Sequence, residues 1–366
     1  MTRQVGGTAQ LAKLSLLSSR FFFLFCTQLM LLGMLNACDD SDSSPSEPEL
    51  DMAVMTDMTD MTVASTIDDR CPNARAGVQL LVLYSDRVEA YTQDEVGFKV
   101  TKSCTFIAQA EQGADNATGM AIGADGRIFI VAPEGEAGGA VYVYSNNGEF
   151  ERKVEPNINL KDISRIWRIN EGFAVWISRN ASLYKLDTEG DFVGVYTPPE
   201  QGSSRLQNLN DLEYIDDDEE GRPRILALFS DRAPQLFAFP NSPILEGMGA
   251  SNAVSVIETA VGKKLLMTGE VDGTTKGVGQ FRQVNSGRMA PAYEETLVYE
   301  SDPGFGDGKD IASFEDGFFI LDSGDAGERS PSLNSFNTFG IPQEQSTLDS
   351  NDIPLEMTRT SIFGDF

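Results

Sequence analysis

Asn116, Asp162, the pair Asn210-Asp211, Glu258 and Asp310 punctuate the chain at steps of about 46 to 52 residues, each ahead of a strand-like run. All of them carry hard oxygen donors. Gathered at one place they would suit Ca²⁺, which takes about 6–8 such ligands. The same side chains also cap turns and satisfy loop amides, the commoner duty of Asn and Asp. Which task they perform depends on whether the fold makes them converge.

Other chemistries are excluded more firmly. The chain has no histidine, which removes Ser-His-Asp and Cys-His triads, histidine general bases and every histidine-ligated metal. No GxSxG elbow or GxxxxGK[ST] loop occurs. "GFGDGKD" at Gly304 to Asp310 has the glycines but ends in Asp, which fits a connecting loop better than a phosphate cradle. With 56 Asp+Glu in the chain, carboxylate pairs are everywhere, and an acid–base pair would have to be argued from geometry. Cys71 and Cys104 cannot complete a four-ligand zinc site without histidine, and a disulfide between them is the expectation, with two buried free thiols as the alternative.

The elements that must position these residues recur along the chain. "GMAIGADGRIFIVAP" (Gly119 to Pro133) is a strand, a tight turn and a strand, and "AVYVYSNNGEFERKV" (Ala140 to Val154) is a second pair across Asn147-Gly148. Further outer pairs follow at Val88 to Val100, Leu183 to Tyr196, Gln235 to Leu245, Phe281 to Glu295 and Leu333 to Leu348. Inner pairs recur at "ISRIWRINEGFAVWIS", "DLEYIDDDEEGRPRILALFS", "VIETAVGKKLLMTG" and "DIASFEDGFFILDSG". Four short strands per period of about 40 to 50 residues predict an all-β fold, a β-propeller of four-stranded antiparallel blades. The first repeat lacks one inner strand. The C-terminal "PLEMTRTSIFGDF" is the unassigned strand-like segment, and pairing Pro354 to Phe363 with Val78 to Ser85 closes the ring at six blades. Seven blades, or five with an insertion, are the alternatives.

"ATGMAIGADGRIFIVA" and "NLNDLEYIDDD" resemble the repeat of the six-bladed NHL-repeat and gluconolactonase-like propellers, a likeness that covers most of residues 70–366. That resemblance implies a fold more than an activity. In gluconolactonase-like enzymes one divalent cation is held by a Glu, two Asn and an Asp; by position Asn116, Asn210 and Asp310 match the last three. Asp162, Asp211 and Glu258 would stand beside them at the channel mouth. The family's glutamate precedes blade one in a Glu-Gly-Pro context, and here that stretch is "DDRCPNA".

At the N-terminus, Arg3, Lys13 and Arg20 precede an apolar run from Phe21 to about Leu35, followed by Ala37. These are the parts of an export signal, and the run is too short to span a bilayer comfortably. "LNAC" ending at Cys38 resembles the lipobox of bacterial lipoproteins, although Asn36 departs from the small residue usual there. The resemblance implies a signal peptide over 1–37, lipidation of Cys38, and anchoring to the inner or outer membrane of a bacterial envelope, on its periplasmic or surface face. Residues 38–69 contain no Lys or Arg and include "MTDMTDMT". That composition predicts a disordered acidic tether, with residues 70–366 as the propeller domain.

The chain carries a formal charge of −28, and the signal holds three bases and no acid. So acidic a surface repels nucleic acid and anionic headgroups. The reading that follows is a monomeric, lipid-anchored envelope propeller that binds a protein or a glycan without catalysis. A Ca²⁺-dependent lactonase or related hydrolase and a purely structural surface lipoprotein are the alternatives. The missing histidine and the missing first ligand weigh against the enzyme.

Overall fold

In a blade whose two faces are both covered, strand residues of either parity are buried. The second strands of the blades accordingly read as near-continuous apolar runs, such as "LLVL" at 80–83, "IFIV" at 128–131, "FAVWI" at 173–177 and "FFIL" at 318–321, all fully or nearly fully buried. Single-faced sheets would show alternation instead.

The computed structural model describes residues 71–361 except 72–77, 95–97, 135–137, 156–159, 179–181, 197–205, 218–222, 238–247, 260–261, 272–274, 284–292, 301–307, 315–316, 325–328 and 349–351. The chain divides between Thr62 and Val63, and every described residue belongs to the second unit. The expected signal peptide over 1–37, the expected tether over 38–69 and Cys38 lie outside the described residues.

Six antiparallel sheets form a six-bladed β-propeller. Blade one holds β1 (Val78–Leu83), β2 (Val88–Gln93) and β3 (Val100–Ile107), with the chain's last strand, β23 (Glu356–Ser361), innermost. Blade two is β4 (Gly119–Ile122), β5 (Ile128–Glu134), β6 (Gly138–Tyr144) and β7 (Phe150–Val154). Blade three is β8 (Ile163–Ile169), β9 (Gly172–Ile177), β10 (Ser182–Leu186) and β11 (Phe192–Tyr196). Blade four contributes β12 (Leu209–Asp217), β13 (Pro223–Phe229) and β14 (Gln235–Phe237); the outer turn expected near 241 lies outside the described residues. Blade five is β15 (Met248–Thr259), β16 (Gly262–Val271), β17 (Thr275–Gln283) and β18 (Tyr293–Glu300). Blade six is β19 (Gly308–Phe314), β20 (Gly317–Asp322), β21 (Ser332–Asn337) and β22 (Pro342–Thr347).

The C-terminal strand closes the ring as the strand count requires. β23 runs antiparallel to β1 from Val78↔Ser361 to Leu83↔Glu356.

Six apolar clusters lie between neighbouring blades, one to each joint. Leu81 and Leu83 of blade one meet Ile128 and Ile130 of blade two; Leu80 and Val82, on the other face of the same strand, meet Phe314 and Phe319 of blade six. Phe129 packs against Phe173 across the next joint with the rings tilted and their centroids 4.2 Å apart. The remaining three clusters repeat the scheme between blades three and four, four and five, and five and six. Each blade is therefore held by both neighbours, and no blade is stable as an isolated sheet.

Two local features show the sequence at work. Asn147-Gly148 turns the outer hairpin of blade two with Gly148 at φ +74°, the left-handed conformation that glycine adopts without strain. Cys71 and Cys104 form the expected disulfide, with Cα atoms 5.1 Å apart. It ties the segment ahead of β1 to the outermost strand of its own blade.

Candidate functional site at the channel axis

The innermost strand of a propeller blade has a free edge along the axis, where backbone N–H groups need acceptors. Side chains of the preceding blade supply them here. Asp211 on β12 accepts from the Val254 amide of blade five at 2.9 Å, Asp310 on β19 from Met357 of blade one at 2.6 Å, and Glu356 on β23 from Met120 of blade two at 2.5 Å. The other three joints are bonded as well. Trp167 Nε1 donates to Asp211 Oδ1 at 2.5 Å between blades three and four, and Thr268 Oγ1 to the Gly308 carbonyl at 3.0 Å between five and six. Between two and three, Thr118 Oγ1 donates to the Ile163 carbonyl at 3.1 Å. At that joint Gly119 approaches so closely that a Cβ there would lie 2.9 Å from Arg165 Cα.

Backbone bulges place the ring residues. Register shifts fall between Ile163 and Arg165, Leu209 and Asp211, Ser251 and Ala253, and Gly308 and Asp310. One extra residue per inner strand turns the next side chain toward the axis. The equivalent positions therefore hold Arg165, Asp211, Ala253 and Asp310 on blades three to six, joined by Glu356 of blade one.

Three buried carboxyl groups thus surround one guanidinium, Arg165, whose Nη1 lies 3.5 Å from Glu356 Oε1. Burial pushes Asp310 up to about 7, and the nearby Asp211 charge adds to the rise. Burial likewise raises Glu356 to about 8, against the opposing pull of Arg165. Asp211 is raised by burial too, moderated by Arg165 and by the three N–H groups it accepts. Arg165 loses solvation, yet the carboxylates of Glu356, Asp211 and Asp310 hold its proton more firmly than usual.

Of the residues singled out by spacing, Asp211 and Asp310 come together and the others do not. Asn116 is exposed, in a left-handed turn at φ 64° ahead of β4. Asp162 lies in the turn before β8, where its carbonyl accepts the Ser178 amide. Asn210 is a bulge residue whose amide Nδ2 donates to the Ser251 carbonyl. Glu258 does not begin an inner strand: β15 starts at Met248, and Glu258 sits opposite Lys263 beside the hairpin at its far end. Equal spacing failed there because β15 is 12 residues long. Sequence reasoning missed Arg165 and Glu356, both ring members. A charged residue between apolar neighbours in "ISRIWRI" and "PLEMTRT" was the available signal.

Among the described residues no cation cage is assembled at the axis: Asn116, Asp162 and Asn210 do not line the cavity, and the ring carboxylates already accept backbone amides. Among the described residues no three Asp, Glu or Cys side chains are grouped to hold a metal. No step through a metal is derived.

Beyond the ring the channel widens into a cavity of about 740 Å³. Its walls are the outward halves of the six inner strands, and the exposed turn residues Ala124 and Asn170 stand at its mouth. Arg168, Glu213, Tyr214, Ser255, Ser313 and Thr358 bring polar groups to the wall.

No protein-family model matches the chain, and no characterised protein matches its sequence. Solved structures do match. A chain of the nidogen/laminin complex superposes with a TM-score of 0.51 at 11% identity, over 77% of this chain and 98% of that one. A putative 6-phosphogluconolactonase from Bacteroides uniformis ATCC 8492 gives 0.46 at 10% identity, over 78% and 100%. The β-propeller domain of Myceliophteria thermophila Cps50 (Swd1) gives 0.43 at 11% identity, over 75% and 87%. At 11% identity the likeness to the first of these is one of fold alone, and the six blades are those of this chain's own sheets.

Proposed function

We propose that the chain is a non-catalytic binding propeller, exported and anchored to a bacterial envelope through a lipid on Cys38, that receives its ligand at the wide end of the channel. One observation carries this reading. The axial carboxylates, the groups best placed for metal or acid–base work, are spent as acceptors for the next blade's amides. Side chains used in this way are parts of the closure, and what remains for a ligand is the cavity beyond them.

Total metal measured on the purified chain tests the function. The expected result is no stoichiometric calcium and no lactone hydrolysis; one calcium per chain together with turnover would establish the hydrolase instead. The anchor has a separate test. Cys38→Ser is expected to move the protein out of the membrane fraction, and an unchanged distribution would refute lipidation there.

A further inference from the structure

The outer turns of blades two, three and six are built alike, each around one residue that collects the amides of the tip. In blade six that residue is Asn337. Its Oδ1 accepts from the Phe339 amide at 3.0 Å and from Ile341 at 2.9 Å, and its carbonyl accepts from Gly340 at 2.8 Å. Ser145 does the same for Asn147, Glu149 and Gly148, and Asp187 for Glu189, Asp191 and Gly190. The glycine is left-handed in all three, at φ +74°, +85° and +71° for Gly148, Gly190 and Gly340. The turn therefore asks nothing of the residues on either side of that glycine. Blade two places Asn147 and Glu149 there and blade three Glu189 and Asp191, whereas blade six has Phe339 and Ile341.

Both of these side chains face water. Phe339 is 73% exposed, more than any other large apolar side chain among the described residues, and Ile341 is 56% exposed. Residues 331–343 contain no charged side chain, in a chain of which 23% is charged. The tip thus presents apolar side chains over amides that already have acceptors. Hydrocarbon demands that combination, because an N–H without an acceptor is costly where no water can reach it.

We propose that the outer turn of blade six docks into the interface of a zwitterionic bilayer, with Phe339 and Ile341 entering between the headgroups. The proposal rests on the envelope-anchor reading. Cys71 is fixed by its disulfide to β3, and β3 lies beside β22, whose Ser346 Oγ donates to the Val100 carbonyl at 3.2 Å. The segment that carries the expected anchor therefore joins the propeller on the flank from which the tip projects, and as a flexible chain residues 39–70 would reach about 30 Å. The formal charge of −28 selects the lipid, since anionic headgroups would repel such a surface. Strands that alternate in direction put the outer turn at the same end of the blade as the inner hairpin, and that end is where the cavity opens. Docking thus holds the cavity mouth beside the bilayer.

The substitution Phe339→Trp reports the contact directly. In the full chain on phosphatidylcholine vesicles the new indole should emit further to the blue and be quenched by brominated acyl chains, beyond the parent chain, whose Trp167 and Trp176 are buried. Asn147→Trp, at the matching position of blade two, should show neither change. Adding Ile341→Asp to Phe339→Trp should lower the docking equilibrium by about tenfold or more, the loss of one buried apolar side chain. An indole at position 339 that escapes quenching, or is quenched no more than one at 147, would overturn the proposal. So would a blue shift that grows with protein concentration in the absence of lipid, which would place a second copy of the chain over the tip. Vesicle flotation and the mass of the Cys38 peptide keep the anchor separate. A chain that floats with the indole unquenched loses the tip and keeps the anchor, whereas quenching in a chain whose Cys38 is unmodified keeps the tip and overturns the lipid.

Discussion

Removal of residues 354–366 is expected to leave a chain that aggregates or fails to melt cooperatively. β23 is the innermost strand of blade one and pairs with β1 over its whole length. It also holds both neighbours: its Met357 amide donates to Asp310 of blade six, and its Glu356 accepts from Met120 of blade two. Without it β1 has a bare edge, and Leu80, Val82 and Phe319 lose Met357 as a packing partner. Breaking two buried polar links and a strand ladder exceeds what a net stability of about 5–15 kcal/mol tolerates. Deletion of residues 39–69, read from composition as a tether, should leave the melting temperature unchanged. Size-exclusion chromatography and thermal melts of both truncations decide the matter; a C-terminal deletion that melts like the parent would mean that the ring closes without β23.

Arg165→Met is expected to lower the melting temperature by roughly 10 °C near pH 9 and by much less near pH 5. Removing one partner of a buried ionic group costs about 3–5 kcal/mol, and about 2–4 °C follow per kcal/mol in a domain of this size. The pH dependence comes from the carboxyl groups that face the guanidinium: Asp211 on β12, Asp310 on β19 and Glu356 on β23. β4 and β15 bring only Gly119 and Ala253 to this level. Each carboxyl has a folded pKa above its unfolded value of 3.8 or 4.5. Their contribution to stability is therefore greatest at low pH. It is lost as pH rises through about 7 for Asp310 and about 8 for Glu356. Near pH 5 Asp310 and Glu356 keep their protons and Arg165 has less charge to balance. Near pH 9 both are ionised and depend on it. The parent protein should thus melt lower near pH 9 than near pH 5, and the variant should fall more steeply. Parallel pH profiles would show that Arg165 acts through packing alone.

How much of this was legible depended on distance along the chain. Apolar runs broken by Asn-Gly and Gly-containing turns determined the strands, and strands recurring four to a period determined a propeller. The missing inner strand of the first repeat, set against a spare strand at the C-terminus, determined six blades and their closure. The pairing of Cys71 with Cys104 followed from chemistry, since a chain without histidine has no zinc site for two thiols.

The channel was decided by tertiary structure. Asn210 and Asp211 are adjacent in sequence, yet a bulge sends one to the Ser251 carbonyl and the other to the axis. Glu258 had the right spacing and lies at the wrong end of β15, because spacing counts residues and ignores where a strand begins. Glu356 and Arg165 lie 191 positions apart and meet only because the ring closes. Strand identity is a local property, carried by alternation and turn chemistry within a few residues. What faces the axis is a non-local one, set by six sheets packing around it and by single-residue bulges that local pattern does not encode.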